Sequence, residues 1–500
     1  MSGGGPRAGG DDVATATVAG VEVGVDHLIG GRRVGSERRF DDLSPIDGRV
    51  LARVARGGAE EAEAAMRAAA EAFEDWAALG PEGRRPYLDR LADLIDENVE
   101  PIAAVECEDM AMLHESLRLR VIGRGARNYR SYAELAAAYE ERTWDSKGTH
   151  NRVIRMPAGP AVVITPWNAP FMLSTWKTAP ALAAGCTVVL KPAEWSPLSC
   201  SLLADLTLEA GLPPGVFNVV QGIGEEAGAA LTAHAGVDRI AFTGSIETGT
   251  LVATAAAANL TPTSLELGGK SPFVVFADAD LDAAVRQAVN QFDNAGQVCL
   301  AGTRLIVEAS IMDGFVERLS NEASAIVQGD PRDEATDIGP LITRAHLQRV
   351  DGFVQRATAQ GASVVFGGGP NEGLGGLYYQ PTVFAEVPDG AEILTKEVFG
   401  PVLTVQPFAD EEEAISLANA TDYGLAAIVY TGDPDRAERV SRRIVAGTVW
   451  VNCFFVRDLR APFGGARRSG IGREGGVYSF DFYADVKNVC SAPWTTSGGN

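Results

Sequence analysis

The sequence has few of the residues on which disulfide-stapled and metal-dependent folds are built. Its 500 residues include only six cysteines and five histidines. The cysteines, at positions 107, 186, 200, 299, 453 and 490, are spread along the chain without paired close spacing, and the histidines are equally scattered. Both patterns are unlike a disulfide framework or a zinc site. We therefore predict neither disulfide scaffolding nor a metal site.

Long apolar runs are also missing. No stretch approaches the length that a membrane-spanning helix requires. The opening M-S-G-G-G-P-R-A-G-G-D-D has no apolar core of the kind found in a signal peptide. We expect a cytoplasmic protein with no membrane partner, in which residues 1–20 form a disordered tail.

Positive charge is scarce. Lysine and arginine total 43 against 66 aspartates and glutamates, which gives a formal net charge of -23. An acidic chain repels nucleic acid and anionic lipid, so no polyanionic partner is expected. A hydrophobic content of 46% with 22% charged residues is typical of a soluble globular protein, here long enough for two or three domains.

The first third of the chain has helical periodicity. Residues 57–140 carry apolar side chains at three- and four-residue spacing, which predicts helices. Within them, I-G-R-G-A-R-N-Y-R at residues 122–130 brings three arginines together. Arg124 is a candidate functional residue, and an ordinary solvated arginine is the alternative.

An alternation of strands and helices begins near residue 161. Branched apolar runs predict strands over residues 161–165, 187–191, 216–220, 238–242 and 263–267, with helices over 170–184, over 197–210 and after Gly244. This order predicts a parallel, doubly wound sheet of the nucleotide-binding type. A second α/β region starts at Pro272, with strands near 303–308, 363–366, 401–407, 425–430 and 447–452, and a last strand spans 484–490.

Two glycine-containing turns are candidates for binding phosphate. Q-G-I-G-E-E-A supplies a G-x-G-x-x-A pattern at Gly222, Gly224 and Ala227, but it follows the third strand of the unit. An ordinary turn is the alternative there. F-T-G-S is better placed, because Gly244 permits close backbone approach and Ser245 opens the next helix.

One cysteine stands in a segment suited to reactivity. F-D-N-A-G-Q-V-C-L-A at residues 292–301 sets Cys299 between an amphipathic run and a β-rich run, which predicts a loop on a rigid scaffold. An inert buried cysteine is the alternative. Glu266, in S-L-E-L-G-G-K, supplies a carboxylate. A thiol and a carboxylate are what an acyl-transfer cycle with hydrolysis requires.

Six segments then occur in a recognisable order. They are P-W-N at 166–168, K-P-A-E at 191–194, F-T-G-S at 242–245, E-L-G-G-K at 266–270, the Cys299 segment and E-V-F-G-P at 397–401. Together they resemble the aldehyde dehydrogenase superfamily, over about residues 25–490 on this motif logic. M-A-M-L-H-E-S at 110–116 departs from the E-T-G-K-P-like stretch of that family.

The resemblance implies an α/β fold of two doubly wound domains with a small β arm. The cofactor (Rossmann-type) domain would comprise residues 21–138 and 158–267, and the catalytic domain residues 268–481. The arm, residues 139–157 and 482–500, would join subunits of a homodimer or homotetramer.

The resemblance also implies a mechanism. Cys299 would attack an aldehyde, and the Asn168 amide with the Cys299 backbone N–H would hold the oxyanion. Hydride transfer would leave a thioester, and Glu266 would activate water to release a carboxylic acid. Glu266 favours hydrolysis over transfer to coenzyme A, since acylating relatives commonly lack this base. Lys177 would tune the network as its family counterpart does, with a solvated helix lysine as the alternative.

The expected cofactor is NAD. Glu194 would accept hydrogen bonds from ribose hydroxyls, and its charge would oppose a 2'-phosphate, so NADP is less favoured. Lys191 would donate to the same ribose, Glu397 would hold the nicotinamide ribose, and Phe399 would pack by the ring. The remaining cofactor contacts implied by the resemblance are Ile164, Thr165, Pro166, Trp167, Ala193, Gly224, Phe242, Thr243, Gly244, Ser245 and Leu267.

The substrate prediction depends on two arginines. Arg457, in V-R-D-L-R, stands where general aliphatic enzymes tend to carry an apolar residue, and a guanidinium there suits a carboxylate. Arg124 would supply a second positive charge to bind the substrate carboxylate. With S-G-I-G-R-E-G-G and Y-S-F-D-F-Y, this segment resembles the branch acting on hydroxymuconic and aminomuconic semialdehydes, including 5-carboxymethyl-2-hydroxymuconate semialdehyde. We expect a carboxylate-bearing semialdehyde; the alternatives are a general aliphatic or betaine-type aldehyde and a non-catalytic homologue.

Overall fold

This computed structural model describes residues 14–493, which contain three β-sheets of three or more strands and two two-stranded sheets, β1-β2 at 15–24 and β5-β6 at 39–55. The strands, in chain order, are β1 (Thr15–Val18), β2 (Val21–Gly24), β3 (His27–Ile29), β4 (Arg32–Val34), β5 (Arg39–Leu43), β6 (Val50–Ala55), β7 (Arg142–Ser146), β8 (Thr149–Pro157), β9 (Ala161–Ile164), β10 (Val188–Lys191), β11 (Phe217–Val219), β12 (Arg239–Thr243), β13 (Thr263–Glu266), β14 (Pro272–Val275), β15 (Arg304–Glu308), β16 (Ser363–Phe366), β17 (Thr382–Ala385), β18 (Val402–Phe408), β19 (Ala426–Tyr430), β20 (Thr448–Val451), β21 (Gly470–Ile471) and β22 (Ala484–Ser491).

Helices separate most of these strands. They are α1 (Ala59–Ala78), α2 (Gly80–Glu97), α3 (Val99–Met110), α4 (His114–Ser116), α5 (Ile122–Ala137), α6 (Pro170–Ala184), α7 (Leu198–Glu209), α8 (Ala229–Ala233), α9 (Ile246–Ala257), α10 (Leu281–Val289), α11 (Met312–Ser324), α12 (Arg344–Ala359), α13 (Glu392–Thr395), α14 (Glu411–Ala418), α15 (Pro434–Arg443) and α16 (Gly476–Phe482). Wider π turns occur at Leu117–Val121 and Gly224–Gly228, and 3-10 turns at Asn290–Gly296, Ala309–Ile311 and Arg467–Ser469.

The first sheet has the strand order β21-β13-β12-β9-β10-β11-β3-β4. Its centre, from β13 to β11, is parallel, and β3, β4 and β21 add antiparallel edges. Helices α2, α5, α6 and α7 pack on one face, while α1, α8 and α9 pack on the other. Because both faces are covered, the strands are continuously apolar rather than alternating. The predicted doubly wound α/β class is confirmed.

The second sheet has the order β16-β17-β18-β15-β14-β19-β20 and is parallel except for β16. Helices α10, α11 and α12 pack on one face, and α14 and α15 pack on the other. The strands predicted near 303–308, 363–366, 401–407, 425–430 and 447–452 form five of its seven members.

The third sheet is small, with the order β22-β8-β7. Strand β8 pairs in antiparallel register with β7 on one side and with β22 on the other, so the two segments predicted to form one arm do lie together. Residues 494–500 of that arm lie outside the described residues. Whether the sheet joins subunits remains a prediction.

Two expectations from sequence need correction. Strand β1 pairs with β2 inside the range predicted as a disordered tail, so the tail prediction is wrong for residues 15–18. Residues 1–13 lie outside the described residues.

The domain boundary also needs correction. Strand β21 joins the first sheet and α16 packs on α5 and α6, although both were assigned to the catalytic domain at 268–481. The other proposed domain boundaries remain predictions.

Within residues 14–493 no helix is both long and apolar enough to cross a bilayer. Across the same residues, no group of three or more histidine, cysteine or acidic side chains is arranged to hold a metal ion.

A buried carboxyl ties α3 to α6. The Glu106 side chain is fully buried, and its Oε2 accepts a hydrogen bond of 3.1 Å from the Phe171 backbone N–H in the first turn of α6. Because burial disfavours the charged form, the pKa of Glu106 is raised to about 7.

This shift predicts a pH-dependent stability. Folded Glu106 holds its proton more tightly than the unfolded chain, so its contribution is present below about pH 4.5 and is lost as the pH rises through about 7. Glu106→Gln keeps the acceptor and removes the charge. We expect a higher thermal midpoint at pH 8, equivalent to up to about 3 kcal/mol, and little difference at pH 4.5. Exposed Glu82→Gln is the control, and equal midpoints for Glu106→Gln and wild type at pH 8 would contradict the interpretation.

Candidate active site

A cavity of about 1160 Å³ is lined by residues that lie next to strands of both large sheets. In the first sheet, β10 and β11 extend from one side of β9, whereas β12 and β13 extend from the other side. The boundary between β9 and β12 is therefore a topological switch point, where α/β folds place ligand crevices. The segments at 166–168 and 243–245 follow these two strands and line the cavity.

Cys299 follows a tightly constrained turn. Asn294, Ala295 and Gly296 have left-handed φ values of 51°, 54° and 70°. A Cβ on Gly296 would lie 2.2 Å from the carbonyl oxygen of Gly400, so only glycine fits against this segment. The turn thus holds the half-buried Cys299 at the cavity wall, in the loop position predicted from the sequence.

Asn168 is held in place by the same turn. Its Nδ2 donates to the backbone carbonyl oxygen of Gln297 at 2.9 Å. The backbone carbonyl oxygen of Asn168 accepts from Asn294 Nδ2 at 3.2 Å. Gln297 is fixed in turn, because its Oε1 accepts from the Ile342 N–H at 3.0 Å. A primary amide carries two N–H groups, so Asn168 keeps a second donor.

Glu266 ends strand β13 and lines the cavity with 5% of its surface exposed. Neither carboxyl oxygen has a hydrogen-bond partner within the described residues. Burial raises the pKa of Glu266 well above its usual range, and the nearby charge of Glu474 raises it further. Lys177 and Arg457 oppose this shift. The result is a carboxyl group of high proton affinity in the same cavity as Cys299.

Lys177 lies behind Glu266 in a buried ion pair. Its Nζ donates to Oε1 of Glu474, while Trp176 Nε1 donates to Oε2 at 2.6 Å and Ser264 Oγ reaches Oε1 at 3.3 Å. Both charged side chains are almost completely buried. The alternative of a solvated helix lysine is therefore wrong.

The cysteine is a thiol at rest. Burial raises the pKa of Cys299 to about 12, and the charges of Glu397 and Glu266 add to this effect. The positive charge of Arg457 acts in the opposite direction. A nucleophilic thiolate therefore requires a proton acceptor at the moment of attack.

Aromatic rings line the cavity next to E-V-F-G-P. The Trp167 ring packs edge to face on Phe399 and on His346, with 5.5 Å between centroids in each case. Glu397 Oε1 accepts from the Gly269 N–H at 2.8 Å, and a Cβ on Gly268 would lie 2.1 Å from Oε2. Glycine at this position therefore allows the carboxylate to approach the backbone.

Lys191 and Glu194 form a second carboxylate site where β10 ends. Lys191 Nζ donates to Glu194 Oε2 at 3.1 Å. Ser245 caps α9 by accepting from the Thr248 N–H, and the buried Thr243 hydroxyl has no partner within the described residues. These residues fit the predicted dinucleotide, because its ribose hydroxyls and phosphates need such acceptors and donors.

The cavity brings most of the predicted residues together. Those that line it are Asn168, Glu266, Cys299, Arg124, Arg457, Pro166, Trp167, Thr243, Gly244, Ser245, Leu267, Glu397 and Phe399. Those that do not are Lys177, Ile164, Thr165, Lys191, Ala193, Glu194, Gly224 and Phe242. Phe242 is buried in β12, and Gly224 lies in an exposed turn.

The predicted substrate arginines face the cysteine side of the cavity. The Arg457 guanidinium carbon lies 3.7 Å from the ring centre of Phe463 and 5.0 Å from that of Trp176. Arg124 lies 6.0 Å from Trp176. Burial and the neighbouring guanidinium of Arg457 lower the pKa of Arg124 to about 10. Within residues 14–493 neither arginine forms a salt bridge with a carboxylate.

Sequence analysis missed several residues of the site. Arg120 and Arg127 also line the cavity, and their spacing from Arg124 places all three near one helix face, a signal that was available. Arg130, from the same cluster, instead pairs with Asp93 and Asp96. Glu474 had no local signal, because its partner Lys177 is 297 residues away along the chain.

Comparison with known proteins agrees with this geometry. The sequence model described as "Aldehyde dehydrogenase family" matches residues 33–489. The chain is 45% identical over 481 residues to a 2-hydroxymuconic semialdehyde dehydrogenase of Pseudomonas sp. (strain CF600), covering 93% of this chain and 99% of that protein. It is 42% identical over 474 residues to a 2-aminomuconic semialdehyde dehydrogenase of Danio rerio, covering 93% and 97%.

Solved structures show the same fold. HpcC from Thermus thermophilus superposes with a TM-score of 0.91 at 44% identity, covering 97% of this chain and 99% of that one. Betaine aldehyde dehydrogenase from Staphylococcus aureus, solved in complex with NAD+, superposes with a TM-score of 0.92 at 36% identity, covering 96% and 97%. The chain described here therefore belongs to the aldehyde dehydrogenase family, whose members are oxidoreductases acting on aldehydes.

Proposed function

We propose that this protein oxidises a carboxylate-bearing semialdehyde, of the hydroxymuconic type, to the corresponding dicarboxylic acid with NAD. The observation that carries the substrate class is Arg457, a cation without a carboxylate partner in the described chain, on the same cavity wall as Cys299 and Glu266. Arg457 is partly buried and no carboxylate hydrogen-bonds to it within the described residues, so a substrate carboxylate can supply a direct partner. The relatives named for hydroxymuconic and aminomuconic semialdehydes support the same class.

The nucleophile is Cys299. Its thiol proton passes to Glu266 as sulfur attacks the aldehyde carbon, since the raised pKa of Glu266 suits it to accept a proton near neutral pH. The product of this step is a thiohemiacetal on the cysteine.

The negative oxygen of that thiohemiacetal is stabilised by Asn168 and by the Cys299 backbone N–H. Asn168 is suited to this role because its orientation is fixed before the reaction by the hydrogen bond to Gln297. Donors that need no reorganisation give the largest electrostatic stabilisation.

Glu194, Lys191 and Glu397 would hold the two riboses of NAD, and the backbone and hydroxyl groups of the turn at 243–245 would bind its phosphates. Bound NAD supplies the hydride acceptor that converts the cysteine adduct to a thioester. Trp167 and Phe399 wall this side of the cavity and exclude water from it.

Hydrolysis then uses Glu266 a second time. Its two oxygens lack hydrogen-bond partners among the described residues, so they are available to a water molecule. Glu266 first gives up the thiol proton to solvent. Water then loses a proton to Glu266 while its oxygen attacks the thioester, and the resulting adduct collapses to the acid and a thiolate, which takes the proton back from Glu266. Lys177 acts through Glu474 and Glu266 as a positioning residue.

Betaine-type aldehydes fit this site less well. A quaternary ammonium binds over aromatic faces. Here the Arg457 guanidinium already stacks on Phe463 and lies over Trp176. Its positive charge would also repel such a substrate, which favours the acidic class.

We further propose that the protein acts in the cytoplasm as a homodimer or homotetramer. The sheet formed by β7, β8 and β22 exposes apolar side chains of Trp144, Met156, Val486 and Val489. Such exposed residues on an arm are suited to burial against a second subunit.

The nucleophile can be tested with Cys299→Ala. We expect the rate of NADH formation to fall more than about a thousandfold, because no other group can form the covalent adduct. The affinity for NAD, measured by isothermal titration calorimetry, should stay within about threefold. Cys490→Ala, which changes an exposed thiol on β22, is the control. Turnover retained by Cys299→Ala, or none by wild type across acidic and neutral aldehydes, would contradict the proposal.

The substrate class can be tested with Arg457→Gln. Loss of a charge-assisted contact should lower kcat/KM for 2-hydroxymuconic semialdehyde about 10- to 100-fold more than kcat/KM for hexanal, which changes only because Arg457 also acts on the pKa values of Cys299 and Glu266. Arg460→Gln is the matched control, since Arg460 is exposed and held by Asp458 at 2.6 Å. Equal losses for both aldehydes, or wild type preferring hexanal, would refute the acidic class.

The charge network can be tested with Glu474→Gln. Because the negative charge of Glu474 raises the pKa of Glu266, its removal should lower that pKa. The acid limb of the kcat-against-pH profile should then move to lower pH. Glu322→Gln, which also changes a carboxylate on the cavity wall, should leave the limb unmoved. A limb that moves to higher pH, or not at all, would contradict the interpretation.

A further inference from the structure

The loops that follow β10 and β11 lie side by side. The two strands are parallel neighbours, with Val188, Val189 and Leu190 paired to Phe217, Asn218 and Val219. Their carboxyl ends therefore open on the same edge of the first sheet. Glu194 belongs to the loop after β10, and the π turn Gly224–Gly228 follows β11.

The π turn packs directly on the side chain of Lys191. A Cβ built on Gly228 would lie 3.7 Å from Lys191 Cδ and 3.8 Å from Cε. Lys191 thus lies between two loops that each carry a carboxylate, Glu194 on one and Glu225 on the other. Both negative charges act on Lys191, because each raises its pKa against the lowering caused by burial.

The two glutamates of the π turn differ in their surroundings. Glu226 is bound by Arg38 and by Arg56, at 2.7 Å in each case, so the turn is anchored and these three side chains together carry one surplus positive charge. Glu225 is exposed and, within the described part of the chain, makes no salt bridge. Its charge is therefore available to act on whatever binds beside Lys191.

We propose that Glu225 is a specificity-determining residue that acts with Glu194 to reject a 2'-phosphate on the adenosine ribose of the cofactor. The proposal deepens the proposed function and rests on the assignment of Lys191 and Glu194 to that ribose. It assigns a role to the G-I-G-E-E-A turn, which the sequence pattern had linked to phosphate binding.

The net charge around the ribose decides whether a 2'-phosphate is attracted. The ammonium group of Lys191 alone would attract a 2'-phosphate, which carries about -1.5 to -2 at neutral pH. Glu194 cancels this attraction by pairing with Lys191 at 3.1 Å. Arg38 and Arg56 exceed Glu226 by one positive charge, and Glu225 balances that surplus, so a 2'-phosphate meets no net positive charge at the ribose edge.

The test is the binding of two nucleotides by calorimetry, which needs no turnover. Adenosine 2',5'-bisphosphate carries the extra phosphate, and 5'-AMP lacks it. Glu225→Gln should lower Kd for adenosine 2',5'-bisphosphate about three- to tenfold, given the exposure of the site and screening by salt. Glu225→Lys should lower it further, and Kd for 5'-AMP should change less than about twofold in both variants.

The control is Glu82→Gln, which removes one exposed negative charge from α2 away from this turn. It should leave the ratio of the two Kd values unchanged. The gain for Glu225→Gln should also shrink as salt rises from about 50 to about 500 mM, because the interaction is electrostatic. Rates with NADP and NAD should follow the same ratio.

Two failures are distinguishable. If wild type reduces NAD and binds 5'-AMP, but the ratio of Kd values is the same in Glu225→Gln and Glu225→Lys as in wild type, the role of Glu225 is refuted and the proposed function stands. If wild type neither binds 5'-AMP nor reduces NAD, the proposed function fails, and the inference fails with it.

Discussion

The buried ion pair between Lys177 and Glu474 is the interaction on which the rest of the site depends. Two charges removed from water are tolerated only when each is paired and hydrogen-bonded, and Trp176 and Ser264 supply the additional donors to Glu474. The pair fastens the segment after β20 to α6, which explains why β21 and α16 return to the first sheet. It also fixes a negative charge behind Glu266. One contact therefore serves both the closure of the fold and the basicity of the proposed general base.

Charge is distributed unevenly around the cavity. Carboxylates follow strands and loops on the proposed cofactor side, where Glu397 contacts the Gly269 backbone and Glu194 pairs with Lys191. Arginines gather on the proposed substrate side, at 120, 124, 127 and 457. Cys299 lies on the wall that both sides share. An anionic aldehyde is thereby attracted to one side, while a cofactor with free ribose hydroxyls is favoured on the other.

The sequence was sufficient to predict structure where the local pattern of residues and their chemistry indicate the same element. Branched apolar runs predicted β9 to β13 to within about two residues, and the loop character of the Cys299 segment followed from its polar and glycine content. The sequence was not sufficient to predict the role of residues whose partners lie far away along the chain. Glu474 acquires its role only because β21 pairs with β13, and Arg130 finds its partners Asp93 and Asp96 only because α2 packs against α5. The tail prediction failed at β1, since a four-residue strand needs its partner β2 rather than intrinsic propensity.

The proposed mechanism requires that an acyl group is bound covalently to Cys299 and that Glu266 is needed for its hydrolysis. The most direct measurement is the intact-protein mass of Glu266→Gln after mixing with NAD and 2-hydroxymuconic semialdehyde. The account predicts that one acyl adduct per chain forms slowly, since the thiol proton must pass to water when Glu266 is absent, and that it accumulates on Cys299, located by peptide mapping, with a single equivalent of NADH and no further turnover. Continued turnover at the wild-type rate, or an adduct on another residue, would contradict it.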